Sequence, residues 1–250
     1  MEKNFDSGHS TNVARFAELV KRCIAFGSTF KPAKAIIKLD NLKIVLANAK
    51  QAMSALNTAH TDMTRAITER ARTFGALDKM VTRLGSGAAS SDILPETIEK
   101  INKQVAKYHS KRINPIDEPE PDTAAETTQE AETRRNSVAQ GSMNRKIENF
   151  DKLITMFGAE ENYQPNEMDL TVQSLKTMLN EVITRNDLAQ DAKINFNAAL
   201  EARDKILYDT ELGLITCVRV TKKYVKFAFG PTSKEFKRLS SLTFKNKEEE

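Results

Sequence analysis

The sequence predicts an all-α protein that consists of two tandem, related helical-bundle units with long central helices. Three observations support this. Apolar residues recur every three or four positions over long stretches, which is the period of one helix face. Gly and Pro are scarce, at 9 and 7 of 250 residues, as expected where helices outnumber strands and turns. The same order of helices and loop signals also occurs twice along the chain.

The first half, residues 11–110, is predicted to form helical unit 1. Residues 1–10 are polar, and we expect a disordered N-terminus there. Ser10, Thr11 or Asn12 could cap the first helix, and Gly27 would end it before a loop at Pro32. The apolar face of this helix consists of Val13, Phe16, Ala17, Val20, Cys23 and Ile24.

A long apolar run follows from Leu42 to Leu77, without Gly or Pro between Ala33 and Phe74. Two interpretations stay open. The run could be one helix of about 35–40 residues, roughly 55–60 Å long. It could instead be two antiparallel helices with a tight turn near Asn57 to Thr61, because ordinary helices are far shorter. The unbroken register favours the single helix.

Residues 85–92, with Gly85 and Gly87, are predicted to be a loop. A last helix of this half should start near Pro95, capped by Ser91 or Asp92. Its apolar positions are Leu94, Ile98, Ile101, Val105 and Tyr108.

Residues 111–140 are rich in Pro, Glu, Thr and Ala, and are predicted to be an acidic disordered linker. Helical unit 2 should then occupy residues 141–230. Its first helix would end at Gly158, its long run would extend from Leu175 to Leu207, and Gly213 would break that run before a last helix. In this last helix Leu214, Val218, Thr221, Val225 and Ala228 are predicted to face the core. Residues 231–250 form a basic C-terminal tail.

The two halves correspond at an offset of 133 residues. Phe30 and Pro32 match Tyr163 and Pro165. The same offset pairs Leu42 with Leu175, Met63 with Phe196, Ile67 with Leu200, Arg70 with Arg203, and Phe74 with Leu207. Sequence identity between the two halves is low, but the order of their helices and the positions of their loop signals agree. With only two copies, we expect two units that pack together as one elongated bundle or lie side by side, rather than an open solenoid.

The second half carries Ala202-Arg203-Asp204, Leu207-Tyr208 and Gly213-Leu214, then Lys222-Lys223-Tyr224-Val225-Lys226 and Phe229-Gly230-Pro231-Thr232-Ser233. This pattern resembles a set of uncharacterised, duplicated all-helical bacterial proteins. The first half departs from it, because Gly75 replaces Tyr208 and the Phe-Gly closure is missing after Tyr108. The resemblance implies the fold and the duplication. It implies no activity.

Composition and motifs exclude several chemistries. Cys23 and Cys217 lie within apolar helical patterns, which indicates buried thiols in a reducing compartment, and we expect a cytoplasmic protein. No apolar run approaches the ~20 residues of a membrane span. Nucleophile-elbow, P-loop and dinucleotide signatures are absent, and His9, His60 and His109 lie far apart in sequence. We therefore expect no enzymatic activity, no cofactor and no metal.

Arg70 and Arg203 fall on the apolar stripes at matched positions. A guanidinium in such a place could bind phosphate or carboxylate in a bidentate manner. The structural alternative is an arginine whose stem lies along the core while its head pairs with Glu69, Glu201, Asp204 or a helix C-terminus. The structural interpretation is the more common outcome for charged residues on apolar faces.

The C-terminal region is strongly basic, and its cations alternate with Tyr224, Phe227, Phe229, Phe236 and Phe244. Cations interleaved with aromatics suit phosphate neutralisation and base stacking. Alternatively this is a solvated helix face, or the acidic linker folds back onto it. With Arg70 and Arg203, the predicted anion-binding or partner-binding residues are Lys222, Lys223, Lys226, Lys237 and Arg238.

These patterns predict a non-enzymatic interaction or scaffold protein that binds a protein partner on the helical rods and the C-terminal tail. The alternative is a nucleic-acid-binding protein that uses the basic C-terminal helix and tail. Long helical runs of this kind, typical of coiled coils, also allow a homo-oligomer.

Overall fold

The computed structural model describes residues 7–109 and 128–245, with side chains from 8 to 109 and from 142 to 245. Within these residues the protein is helical, without strands, so the predicted all-α class is confirmed. Three short 3₁₀ turns lie in the loops. The seven α-helices are α1 (Ser7–Ala25), α2 (Leu39–Ala89), α3 (Pro95–His109), α4 (Thr128–Gly158), α5 (Val172–Tyr208), α6 (Leu214–Phe229) and α7 (Lys234–Ser240).

The long apolar run of the first half is one continuous helix, α2, with 51 residues. It is longer than predicted because it continues through Gly85 and Gly87, so the loop predicted at residues 85–92 was wrong over its first part. Leu84 and Ala88 are buried one turn apart and keep this end of α2 on the core. Tertiary packing thus overrides the low helix propensity of the two glycines.

Three predicted boundaries also differ from the structure. Helix α1 begins at Ser7, inside the predicted disordered N-terminus and before the predicted caps, because Gly8 and His9 are already buried. Helix α4 begins at Thr128, so residues 128–140 of the predicted disordered linker are helical. Residues 1–6, residues 110–127 of the linker region and residues 246–250 lie outside the described part.

The predicted tail is structured from Pro231 to Lys245. Gly230 has a φ of 90°, a backbone conformation that favours glycine, and it ends α6. Ser233 then caps α7, since its Oγ accepts the Phe236 N–H at 3.1 Å. Leu239 and Leu242 are buried, and this burial anchors the tail.

The chain forms two compact units. The terminal unit comprises the residues up to Thr64 and those from Ala192 onwards, and the central unit comprises Arg65–Asp191. Each unit therefore combines segments from both sequence halves, which is a different division from the predicted residues 11–110 and 141–230. The predicted duplication rests on the sequence alone. The division into two compact units does not test it, so the duplication remains a prediction.

Each unit has its own core. Phe16, Leu19, Leu42, Leu207 and Leu214 are fully buried in the terminal unit. The central unit buries Phe74, Leu77, Ile101, Phe150 and Leu175. Most of these residues lie on the apolar stripes read from the sequence.

Candidate partner-binding surface

Helix α6 in the terminal unit carries three of the seven predicted binding residues, namely Lys222, Lys223 and Lys226. Its buried face consists of Leu214, Ile215, Cys217, Val218, Thr221 and Val225. Gly213 is the N-cap residue of α6, and a side chain could not be accommodated there, since a Cβ would lie 2.5 Å from the backbone N and O of Asp209. The glycine thus fixes the turn from α5 into α6 and, with it, the face that α6 presents to solvent.

The outward side of α6 is basic and contains an exposed aromatic ring. Arg219, Lys223 and Lys226 are exposed, and Phe227 is 87% exposed. No Asp or Glu occurs in the helix. We call these four residues the Lys face. Ala228 is also exposed, so its predicted place in the core was wrong, because the apolar stripe of α6 ends at Val225.

The loop between α1 and α2 adds further cations beside α6. The Lys31 backbone N–H donates to the Tyr224 hydroxyl at 3.0 Å, and the Phe30 and Tyr224 rings meet edge to face at 5.3 Å. Lys31, Lys34 and Lys38 are exposed, and residues 26–38 contain no acidic residue. Sequence reasoning missed these lysines because nearly two hundred residues separate them from α6.

Lys222 has a structural role. It is half-buried, and its Nζ donates to the carbonyl oxygens of Leu242 at 2.5 Å and Ser240 at 3.5 Å. The ammonium also lies 5.5 Å from the centre of the Phe244 ring. Burial lowers the pKa of Lys222 below its ordinary value. The residue thus ties α6 to the C-terminal segment.

Lys237 and Arg238 are exposed on α7. Helix α7 packs against α6, and Lys226 Nζ lies 6.0 Å from the centre of the Phe236 ring on α7. The Arg238 carbonyl accepts a hydrogen bond from Arg22 of α1. The two predicted residues of the tail therefore lie on a docked helix of the terminal unit.

The matched arginines have different surroundings. Arg203 in the terminal unit is only 6% exposed, and its Nε and Nη2 donate to Asp204 Oδ1 at 2.9 and 2.7 Å. Arg70 in the central unit is half-buried, and burial lowers its pKa. The Asp204 contact matches the structural interpretation of Arg203; whether either arginine binds an anion remains a prediction.

Both cysteines are buried and reduced. Burial raises the pKa of Cys23 to about 12 and that of Cys217 to about 11, so both remain thiols near neutral pH. His9 contacts Tyr208, His60 contacts Phe196 and His109 contacts Tyr108. Among the described side chains, no three His, Cys, Asp or Glu residues cluster as metal ligands would.

The terminal unit also contains an open cleft of about 420 Å³ between the start of α2 and the end of α5. Ile36, Ile44, Val45, Ile206 and Leu212 make it largely apolar, while Asn41, Asn48, Lys205 and Asp209 add polar groups. The Asp209 carboxylate accepts the backbone N–H groups of Leu212 and Glu211, and these hydrogen bonds lower its pKa. The cleft was not predicted, because its two walls come from opposite ends of the chain.

No family model matches this chain, and neither the curated proteins nor the solved structures contain a match to it. Among the described helices, none is both long and apolar enough to cross a membrane.

Proposed function

We propose that this chain is a non-enzymatic interaction protein that binds an anionic partner through the Lys face. One observation carries the proposal. The Phe227 ring, 87% exposed, stands on a helix whose exposed charges are all positive. Single exposed apolar side chains are common on protein surfaces. Here the ring shares its helix with the exposed cations Arg219, Lys223 and Lys226 and with no carboxylate, which is a surface chemistry suited to a polyanion.

Single-stranded nucleic acid is the anionic partner that this chemistry favours. Lys and Arg side chains neutralise phosphates and release counterions, and an exposed aromatic ring offers a platform on which a base can stack. The lysines of residues 26–38, next to Tyr224, would extend the path for the phosphate backbone. Such binding tolerates many sequences and weakens steeply with salt.

An acidic protein is the second candidate, and a different observation favours it. Apolar residues are exposed along the two long helices, namely Ile44, Ile67, Ile183, Leu188 and Ile194. A partner helix could use Ile44 and Ile194, which belong to the terminal unit, together with the charges of the Lys face, as in helix-in-groove recognition. This is the scaffold role predicted from the sequence.

The test measures binding of a fluorescein-labelled oligothymidylate and of labelled polyglutamate by fluorescence anisotropy at several salt concentrations. The variants are Lys223→Glu/Lys226→Glu and Phe227→Ala. The control, Lys100→Glu/Lys103→Glu on α3, makes the same change of charge on exposed residues of the central unit.

We expect Phe227→Ala to weaken oligothymidylate binding by about 5- to 150-fold, since stacking contributes ~1–3 kcal/mol per base. The charge reversal should weaken it further and reduce the salt dependence, while the control should retain binding. If only polyglutamate binds, and Phe227→Ala has no effect on it, the partner is an acidic protein. Absence of binding to both probes at low salt, or equal losses in the control, would overturn the proposal.

A further inference from the structure

The end of the described chain is held in the terminal unit as a peptide ligand would be held. Residues 242–245 have no regular secondary structure of their own. Side chains from α1 and α6 bind their backbone. The contacts from α1 join residues that are more than two hundred positions apart in sequence. Together with the contact from α6, they line a groove that the chain fills with its own C-terminal segment.

Asn12 of α1 provides the most specific contact. Its Nδ2 donates to the Lys245 carbonyl oxygen at 2.9 Å, and its Oδ1 accepts the Lys245 N–H at 3.0 Å. A side-chain amide offers the same donor and acceptor as a peptide group, so Asn12 pairs with this residue as a neighbouring strand would. Asn12 is fully buried, which makes its hydrogen bonds costly to leave unmade.

Two cationic side chains bind the preceding carbonyl groups. Arg15 Nη1 donates to the Thr243 carbonyl oxygen at 2.6 Å and to its Oγ1 at 2.8 Å. Lys222 binds the Leu242 carbonyl, as described above. Leu242, Thr243 and Lys245 are thus bound through their main-chain atoms. Contacts of this kind place little requirement on the sequence of the bound segment.

Leu242 supplies the apolar anchor, and α7 supplies a second one through Leu239. Both belong to the core cluster that includes Val13 and Phe16 of α1 and Val225 of α6. The groove therefore combines main-chain recognition with defined apolar sites, which is the usual division between affinity and specificity in extended-peptide binding.

The groove is held in place independently of the segment. The Tyr208 hydroxyl of α5 lies 3.4 Å from Asn12 Nδ2 and 2.6 Å from His9 Nδ1. These contacts orient the Asn12 amide from the side of α5. A groove with such support can remain formed when the segment leaves.

We propose that this groove is a peptide-docking site and that the C-terminal segment of a second copy of this chain can occupy it. Gly230 and Pro231 form the connection between α6 and α7, where the segment could swing away from its own groove. Every contact that the segment makes within one copy is then available between two copies. Within one copy the segment has the advantage of a high effective concentration, so exchange should increase with protein concentration.

A complementation experiment tests this with full-length chains. Leu242→Asp keeps the groove but removes the segment's anchor. Arg15→Glu/Lys222→Glu keeps the segment but places carboxylates opposite its carbonyl groups. Each variant alone should sediment as a monomer, whereas an equimolar mixture should form a 1:1 pair, because one chain provides a groove and the other a segment. Circular dichroism verifies that both variants are folded.

A second measurement decides the matter if one variant fails to fold. A labelled peptide of residues 234–245 is added to wild type and to Leu242→Asp, with Leu242→Ser as a milder replacement. The vacated groove should bind it at least about tenfold more tightly than the occupied wild-type groove, a difference of ~1.4 kcal/mol. If folded variants remain monomeric in the mixture and the peptide binds both chains equally or not at all, the proposal is wrong.

Discussion

Helices α3 and α6 are the last helices within the predicted units 11–110 and 141–230. Their buried residues have the same spacing, but their exposed residues differ. In α3 the buried residues are Ile101, Gln104 and Tyr108, and in α6 the corresponding spacing is filled by Val218, Thr221 and Val225. On its exposed side, α3 mixes Glu96, Glu99, Lys100, Lys103 and Lys107, whereas α6 exposes Arg219, Lys223 and Lys226 without an acid. Since the packing requirement is shared, packing does not explain the uniform charge of α6, and the proposed binding of an anionic partner would.

The buried polar residues of the two helices also differ. Gln104 Nε2 donates to Asn149 Oδ1 at 3.0 Å and to the Asn149 carbonyl at 3.2 Å. Thr221 is fully buried, and its hydroxyl makes no hydrogen bond with any described residue. The polar group at the middle of α3 therefore stabilises its unit, while the one in α6 costs free energy where it stands.

The largest effect is expected from Gln104→Leu. It removes the donor to Asn149, a residue that is itself buried, and leaves the Asn149 Oδ1 without that hydrogen bond. The free energy of unfolding should fall by about 1–3 kcal/mol, measured by urea denaturation. The double variant Gln104→Leu/Asn149→Leu should recover part of this loss. If Gln104→Leu leaves the stability unchanged, the contrast between the two helices does not hold.

A smaller, pH-dependent effect is expected at Asp78, which accepts hydrogen bonds at Oδ1 from Tyr108 Oη and Lys146 Nζ, both at 2.7 Å. Partial burial alone would raise the pKa of Asp78, but the hydrogen bonds from Lys146 and Tyr108 outweigh it and the net shift is downward. The same contact, added to burial, raises the pKa of Tyr108. This carboxylate thus links α2, on which it lies, to α3 and α4, and it does so more strongly when it is ionised than when it is protonated.

The sign of the pH dependence follows from the lowered pKa. The ionised carboxylate stabilises the fold above the ordinary aspartate pKa, about 3.9, and this contribution disappears as the pH falls through the lower folded-state value. Asp78→Asn should cost about 0.5–1 kcal/mol near neutral pH, because the pair is partly exposed. The variant should also show a flatter loss of stability below pH ~4. Lys146→Met should flatten the same region; a curve that remains as steep as wild type in both variants would contradict the assignment.

The helical content and most of the core could be predicted from the sequence, because both depend on periodicity within a single helix. Phe16, Leu42, Phe74 and Leu207 were placed on apolar stripes and are buried. The exceptions depend on contacts between distant segments. Gly85 and Gly87 were interpreted as a loop because local propensity was the only signal, yet the packing of Leu84 and Ala88 keeps them helical.

The candidate surface was predicted only in part, and for the same reason. Lys223, Lys226 and Phe227 were recognisable as a basic, aromatic stretch. The internal use of Lys222 was not, since it depends on the position of Leu242 after a chain reversal. The pairing of Asn12 with Lys245 spans 233 residues and has no signature in either local sequence.

The smallest effect is expected from Thr221→Val, and it has the opposite sign to Gln104→Leu. Valine has nearly the same shape as threonine, and both are β-branched, so packing and χ1 preference should be retained. The substitution removes a buried hydroxyl that makes no hydrogen bond with any described residue, and stability should rise by up to about 1 kcal/mol. The matched control is Thr184→Val on α5, where the exposed hydroxyl bonds the Asn180 carbonyl at 2.8 Å and a change within about ±0.5 kcal/mol is expected. A higher urea midpoint for Thr221→Val alone would show that α6 carries a polar group its fold does not need. A lower midpoint would mean that the Thr221 hydroxyl does form a hydrogen bond. The buried polar residues of α3 and α6 would then both stabilise their helices, just as the apolar residues of both helices do.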